Sequence, residues 1–287
     1  MYGVNSECGR IEDVLLHMPR PVIQSVRNPS SVCHEDHINY NAIKREFEHL
    51  AKHYIEVGIS VNFLDPPSGI SDRSLLNMMY TRDLVFMTPE GAVIANMRYP
   101  IRRDEPDAVI RFMQNRDIPV SLKVSGEGTF EGADALWIRK NFVLVGVGNR
   151  TNPQGFSQLK KLLNTLAIEC EAVALPKGIQ HLLGAVQIVD DEIALVRSQV
   201  MSKGILQLLE RFEYRIIEVP EHPEVSKKQA MNIVTIRPKC IIMPDDTPEI
   251  EALYAENGLK IVAKVPIAEL RKGAGGLACA TAILRRS

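Results

Sequence analysis

The chain has 287 residues, enough for one or two domains with a large core, and its apolar fraction of 45% and charged fraction of 24% are those of an ordinary globular protein. Its formal net charge of −1 leaves no electrostatic footprint for nucleic acid or an anionic membrane. The densest basic clusters, Arg102-Arg103 and Arg285-Arg286, are too short for phosphate-binding arms.

In chain order, RIEDVLLHM (residues 10–18) reads as a strand. Ile43, Phe47, Leu50, Ala51, Tyr54 and Val57 then recur at helical spacing, with Gly58 as the stop. ISVNFL (59–64) is a short strand. DLVFMTPEGAVIANM, from Asp83, is an apolar strand, a Pro/Gly turn and a second apolar strand. DALWIRKNFVLVGVG, from Asp134, repeats that pattern. A helix follows on Phe156, Leu159, Leu162, Leu163 and Leu166, capped by Asn152 with Pro153 in its first turn. AVQIVDDEIALVRSQ, from Ala185, is the third hairpin, and residues 203–212 are a helix. NIVTIRPKCIIMPDD, from Asn232, is the fourth, and Thr247-Pro248 opens a helix that Gly258 closes. ACATAIL (278–284) is the last strand.

Met87, Ile138, Val189 and Ile236 hold like positions in the four hairpins, 51, 51 and 47 residues apart. A period of that length signals a radial or stacked repeat. The first and last strands form a fifth pair, so the two ends close a ring. The expected fold is α/β: five ββαβ-like units about a pseudo-fivefold axis, one domain over residues 1–287. A doubly wound α/β sheet is the competing reading, disfavoured because the sheet is mostly hairpins.

Polar residues beside the repeated strands carry the candidate chemistry. Asp83 sits in YTRDLVF, Glu131 and Asp134 in GTFEGADALWI, and His181 in GIQHLLGAVQIV. Cys279 follows a turn containing Gly273, Gly275 and Gly276. Equivalent strand ends of a radial array point to one place, so residues about fifty apart converge. Each residue also has a plainer reading. Asp83 makes a surface ion pair with Arg82, Glu131 and Asp134 are turn formers, His181 is a satisfied buried histidine, and Cys279 is inert core. Together, a thiol, an imidazole and carboxylates supply a nucleophile, a proton shuttle and cation anchors.

The five cysteines, Cys8, Cys33, Cys170, Cys240 and Cys279, are spread out with no C-x-x-C pair. That argues against a disulfide framework or a zinc site and for a reducing cytosol. MYGVNSECGR lacks a signal-peptide pattern, and no apolar run approaches the ~18 residues of a membrane span. The expectation is a cytoplasmic chain with no metal, cofactor, nucleic-acid or membrane partner, its oligomeric state open, a homo-oligomer included.

These segments resemble the guanidino-group-modifying enzymes of the pentein fold: arginine deiminases, dimethylarginine dimethylaminohydrolases and amidinotransferases. VNSECGRIEDVLLHMP resembles the deiminase opening, and NMMYTRD resembles an N-x-x-x-T-R-D segment that places Asn77 and Asp83 at substrate-binding positions. EGAD resembles E-G-G-D and implies catalytic Glu131 with Asp134. HLLGAVQIV resembles the H-L segment and gives His181 the proton-transfer role. GGLAC resembles the nucleophile turn and gives Cys279. RYPIRR and GNRTNPQG resemble the segments that bind the substrate carboxylate, suggesting Arg98 or Arg102, and Arg150. The ordered similarity runs from about residue 4 to 284.

Two departures stand out. Deiminases usually have H-L-D where this chain has His181-Leu182-Leu183, and P-R-C where it has Leu277-Ala278-Cys279. Fewer carboxylates leave room for N-methyl groups, which tilts the resemblance toward the dimethylarginine type. Arginine deiminase or dihydrolase, amidino transfer, and a non-catalytic binding pentein are the alternatives; the last predicts loss of the thiol, imidazole or carboxylate. The expected partner is a small guanidino substrate. The polar stretch NPSSVCHEDHINYN, within residues 20–41, is either a flap over the site or a plain surface loop.

Overall fold

The computed structural model describes residues 2–66 and 75–287. The chain runs through β1 (Ile11–Leu16), α1 (Tyr40–Glu56) and β2 (Ser60–Phe63), then α2 (Thr81–Leu84), β3 (Val85–Thr88), β4 (Gly91–Ile94), α3 (Glu105–Gln114) and β5 (Val120–Lys123). Next come β6 (Ala135–Arg139), β7 (Phe142–Val147), α4 (Pro153–Thr165) and β8 (Glu169–Ala174), followed by β9 (Val186–Asp190), β10 (Ile193–Val196), α5 (Lys203–Arg211) and β11 (Arg215–Glu218). The last stretch holds α6 (Pro223–Ser226), β12 (Val234–Arg237), β13 (Cys240–Pro244), α7 (Pro248–Glu256), β14 (Lys260–Val265) and β15 (Ala282–Arg286).

The fifteen strands form five three-stranded sheets of one pattern. In each, an antiparallel hairpin is extended by a third strand that a helix returns parallel to the second: β3-β4-β5, β6-β7-β8, β9-β10-β11 and β12-β13-β14. The fifth sheet joins the ends of the chain, β15 antiparallel to β1 and β1 parallel to β2, with Val14 facing Ile283 on one side and Val61 on the other. This is the five-unit α/β propeller of pentein type that the fifty-residue repeat predicts.

Burial follows the same logic. Both strands of the β3-β4 hairpin are buried at every position, whereas third strands such as β2 and β5 carry exposed positions. First strands of neighbouring units pack together: β15 beside β3, and β9 beside β12. Between β3 and β6, Phe86 stacks on Trp137 at 5.5 Å, and the indole N–H donates to the Met87 carbonyl at 3.3 Å. One apolar core runs from Val4 to Leu284, and a second cluster, with Leu195, Ile241 and Tyr254, fills the space between the third and fourth hairpin units.

Helix ends follow their capping residues. Asn39 accepts from the Ala42 N–H at the start of α1, and Asn152 accepts from the Gly155 N–H at the start of α4. Gly58, at φ +79°, stops α1.

Two expectations are corrected. Asp83 does not begin a strand: Asp83 and Leu84 close α2, and β3 starts at Val85. The last strand starts at Ala282, not Ala278. Residues 278–281 form a turn held by Ala280 N–H on the Gly276 carbonyl and by the Thr281 hydroxyl on the Leu277 carbonyl and Tyr54. Helix α3, a stretch for which the sequence reading named no element, buries Ala108, Val109 and Met113 behind Pro106 in its first turn.

Candidate active site

Each unit delivers a polar residue immediately before its first strand. Asp83 precedes β3, Glu131 and Asp134 precede β6, His181 precedes β9, Asn232 precedes β12 and Cys279 precedes β15. Backbone contacts bring these turns together. The Arg82 N–H donates to the Cys279 carbonyl at 3.1 Å. At Gly132 a Cβ would lie 2.4 Å from the Val85 carbonyl and 2.5 Å from that of Arg82, so only glycine lets the Glu131 turn rest on the Asp83 turn.

Asp83 is buried and pairs with Arg102 rather than with its neighbour: Arg102 Nη1 donates to Asp83 Oδ2 at 2.7 Å, while Arg82 reaches Glu7 at 2.8 Å. The surface-pair reading of Asp83 is therefore set aside. Its other oxygen, Oδ1, is buried, has no hydrogen-bond donor among the described residues, and lies 3.8 Å from His181 Nδ1. Glu131 is fully buried; its Oε2 lies 2.8 Å from His181 Nε2 and 3.8 Å from Arg102 Nη1, and its Oε1 lies 3.3 Å from Arg150 Nη1. Asp134 is fully buried. It accepts from the Thr151 hydroxyl at 2.7 Å and from the Leu182 N–H at 3.1 Å, so it holds the turn that carries His181.

The charges follow from these contacts. Burial works against a charged His181, but Asp83, Asp134 and Glu131 outweigh it and raise its pKa. Burial likewise opposes an ionised Glu131, and the His181 hydrogen bond with the charges of His181, Arg102 and Arg150 outweighs that and keeps it ionised. His181 is thus an imidazolium at neutral pH, Nε2–H held by Glu131 and Nδ1–H turned toward Asp83. Cys279 is the opposite case: burial, then the charge of Asp83, pushes its thiol up to about 11. The resting pair is a neutral thiol and a charged imidazole.

The glycines before Cys279 serve close packing. None of Gly273, Gly275 and Gly276 has a positive φ; the left-handed residue of the turn is Ala274, at φ +69°. A Cβ on Gly273 would lie 2.2 Å from the Tyr80 hydroxyl, on Gly275 2.5 Å from the Tyr80 ring, and on Gly276 2.7 Å from Asn232. Cys279 and His181 line one cleft of about 290 Å³, with Asn232, Gln229, Met231, Gln180, Arg197 and Glu35. The cleft is at the small end for ligand sites, which span ~300–1,000 Å³.

The expected arginines divide. Arg102 is buried in a fork between Asp83 and Glu105, and also donates to the Asn77 carbonyl at 3.2 Å. Arg150 is buried against Glu131 and over the Tyr99 ring. Arg98 is exposed and is not among the cleft residues. Asn77 reaches the Val32 carbonyl at 2.8 Å, tying down the polar stretch over 20–41. That stretch also bonds to the segment before the nucleophile turn, Glu35 N–H on the Lys272 carbonyl, and brings Glu35 to the cleft. Sequence reasoning missed Asn232 and Arg197. Asn232 opens the fourth repeat, so the rule that selected Asp83 and His181 points to it as well.

Asp83, Glu131 and His181 offer three ligand atoms within 4.8 Å of one another, a grouping that distant sequence positions hide. Arg102 and Arg150 already neutralise those carboxylates, so the donor set suits an N–H-bearing cation in the cleft better than a metal ion between the arginines.

The model of the arginine deiminase family matches residues 72–204 and 176–286. The chain belongs to the arginine deiminase family. An uncharacterized family relative, YkgA of Bacillus subtilis, is 25% identical over 98% of this chain and 94% of its own. The N(G),N(G)-dimethylarginine dimethylaminohydrolase of Mycobacterium tuberculosis is 28% identical over 54% of this chain and 48% of that protein. Among solved structures, the dimethylarginine dimethylaminohydrolase of Pseudomonas aeruginosa in complex with citrulline shares the fold, with a TM-score of 0.77 at 19% identity over 96% of this chain and 100% of that one. No helix of the described residues is long and apolar enough to cross a membrane.

Proposed function

We propose that this arginine-deiminase-family chain is a cysteine-dependent hydrolase of an arginine-type guanidino group, of the dimethylarginine dimethylaminohydrolase kind. The observation that carries the reading is Asp83 Oδ1, a buried carboxylate oxygen lacking a donor among the described residues, beside His181 and close enough to Cys279 to raise its pKa. A buried acceptor without a partner calls for a donor, and a guanidinium N–H is the complementary one.

A guanidinium is a planar cation and a poor electrophile. Bound on Asp83, its positive charge lowers the pKa of the Cys279 thiol, which gives up its proton to solvent. The sulfur then attacks the central carbon, and a C–S bond forms as a C–N π bond opens. His181 Nδ1–H protonates the departing amine, the C–N bond breaks, and a covalent alkylthiouronium remains. The imidazole, now neutral, takes a proton from water as the water oxygen attacks the same carbon. The C–S bond breaks, leaving a urea product and the thiol; the net reaction consumes one water and releases one amine. Glu131 keeps Nε2 protonated and steadies the imidazolium.

Leu183, in place of a second carboxylate, is buried beside His181. One carboxylate fewer near the guanidinium leaves room for N-methyl groups and favours N-methylated nitrogens over bare ones. The test is steady-state turnover against arginine, monomethylarginine, asymmetric dimethylarginine, agmatine and guanidinoacetate, with products identified. Citrulline with dimethylamine from asymmetric dimethylarginine, at higher kcat/KM than ammonia from arginine, is expected. Ornithine formation dependent on an acceptor amine would replace hydrolysis by amidino transfer.

A further inference from the structure

Asn232 stands between α6 and β12, buried, with its backbone N–H on the Gln229 carbonyl at 2.8 Å. Its side chain reaches the nucleophile turn with both ends. Oδ1 accepts from the Ala278 N–H at 2.8 Å and the Cys279 N–H at 3.2 Å, and Nδ2 donates to Cys279 Sγ at 3.1 Å. The two backbone donors fix the amide's orientation, because a flipped amide would set its NH₂ against both of them. The packing is close enough that a Cβ at Gly276 would sit 2.7 Å from the Asn232 side chain.

We propose that Asn232 is the positioning residue of the nucleophile, a fixed N–H donor that stabilises the Cys279 thiolate while its oxygen anchors the turn that carries the sulfur. The proposal deepens the hydrolase reading and rests on it for the role of Cys279. Burial and the anionic Asp83 disfavour the thiolate; against them stand the Asn232 amide first, then a backbone hydrogen bond from Gly276 and the charge of Arg102. A hydrogen bond to a charged group shifts its pKa by about one to two units, so the Asn232 amide is matched to the deficit that burial creates. His181 does not fill this role, since its own protons face Glu131 and Asp83.

The test is the rate of Cys279 alkylation by iodoacetamide between pH 7 and 9, with the modified residue identified by mass spectrometry and melting temperature measured alongside. It needs no guanidino substrate. Asn232→Ala removes donor and anchor; Asn232→Asp keeps two acceptor oxygens for the Ala278 and Cys279 N–H groups but replaces the donor by a negative charge. The expected result is alkylation slowed ~10–100-fold across the range in the Asp variant, at least as much as in the Ala variant. A merely structural role predicts the reverse, since a loosened turn exposes the sulfur and alkylates faster. If either variant alkylates at or above the wild-type rate, the proposal is overturned; should the Ala variant fail to fold, the Asp variant alone decides. Wild-type protein that turns over no guanidino compound but shows Asn232-dependent alkylation removes the functional reading and leaves this one standing.

Discussion

The two halves of the site solve opposite electrostatic problems. On one side His181, Asp83, Glu131, Arg102 and Arg150 form a dense buried ion network that keeps an imidazole charged. On the other, Cys279 takes the Asn232 amide on its sulfur, while burial and the charge of Asp83 hold its thiol protonated. The difference teaches that the acid is ready before substrate arrives, while the nucleophile is not. Substrate charge is the missing element that joins the halves.

The largest effect is expected from the neutral half. Cys279→Ser should lower kcat by ~10⁴-fold or more while substrate still binds in equilibrium dialysis, because Asp83 and Glu131 are untouched. Near-normal turnover would remove the nucleophile assignment and the contrast with it. From the charged half, His181→Ala should lose ~10²–10⁴-fold in kcat, with the loss smaller for substrates whose departing amine is a better leaving group. An equal loss for all leaving groups would place His181 outside the proton transfer.

The charged half also sets a stability signature. His181 is raised above its ordinary value of ~6.5, so the stability it contributes is full below that pH and is lost as pH rises through the raised value. Glu131, held ionised, contributes above its ordinary value of ~4.3 and loses that contribution as pH falls through the lowered one. Denaturation across pH 6–10 should therefore show a decline that His181→Ala flattens. An unchanged slope would mean the network does not hold the proton. The smallest effect concerns substrate recognition. Arg197 is the arginine of the cleft lining and is held by Glu221 through two contacts, at 2.6 and 2.8 Å. Arg197→Ala should raise KM several-fold, on the order of one ion pair, with kcat little changed. A larger KM increase for Arg150→Ala would return the carboxylate to the arginine first expected there.

The sequence made the frame of this comparison readable and hid its electrostatics. Met87, Ile138, Val189 and Ile236 exposed the repeat, and the repeat placed Asp83, Glu131, His181 and Cys279 at equivalent strand ends. Asn232 was legible by the same rule, but an asparagine before a strand reads as a turn former, and its role depends on where its two amide ends point. Arg102 meets Asp83 and Arg150 meets Glu131, each pair nineteen residues apart within one unit; the pairing depends on where the side chains point, which hydrophobic periodicity does not encode. The glycines near Cys279 were legible as necessary. The reason for them was not, since it lies in Tyr80 and Asn232 of other units.

The central claim is that Cys279 attacks a guanidino carbon and carries it covalently. Acid quench of the wild-type enzyme during turnover of asymmetric dimethylarginine, followed by intact-mass analysis and peptide mapping, tests it directly. A mass increase on the peptide holding Cys279, matching the substrate less dimethylamine and absent from Cys279→Ser, is the predicted result. Rapid turnover with an unmodified Cys279 peptide at every quench time, and comparable turnover by Cys279→Ser, would contradict it.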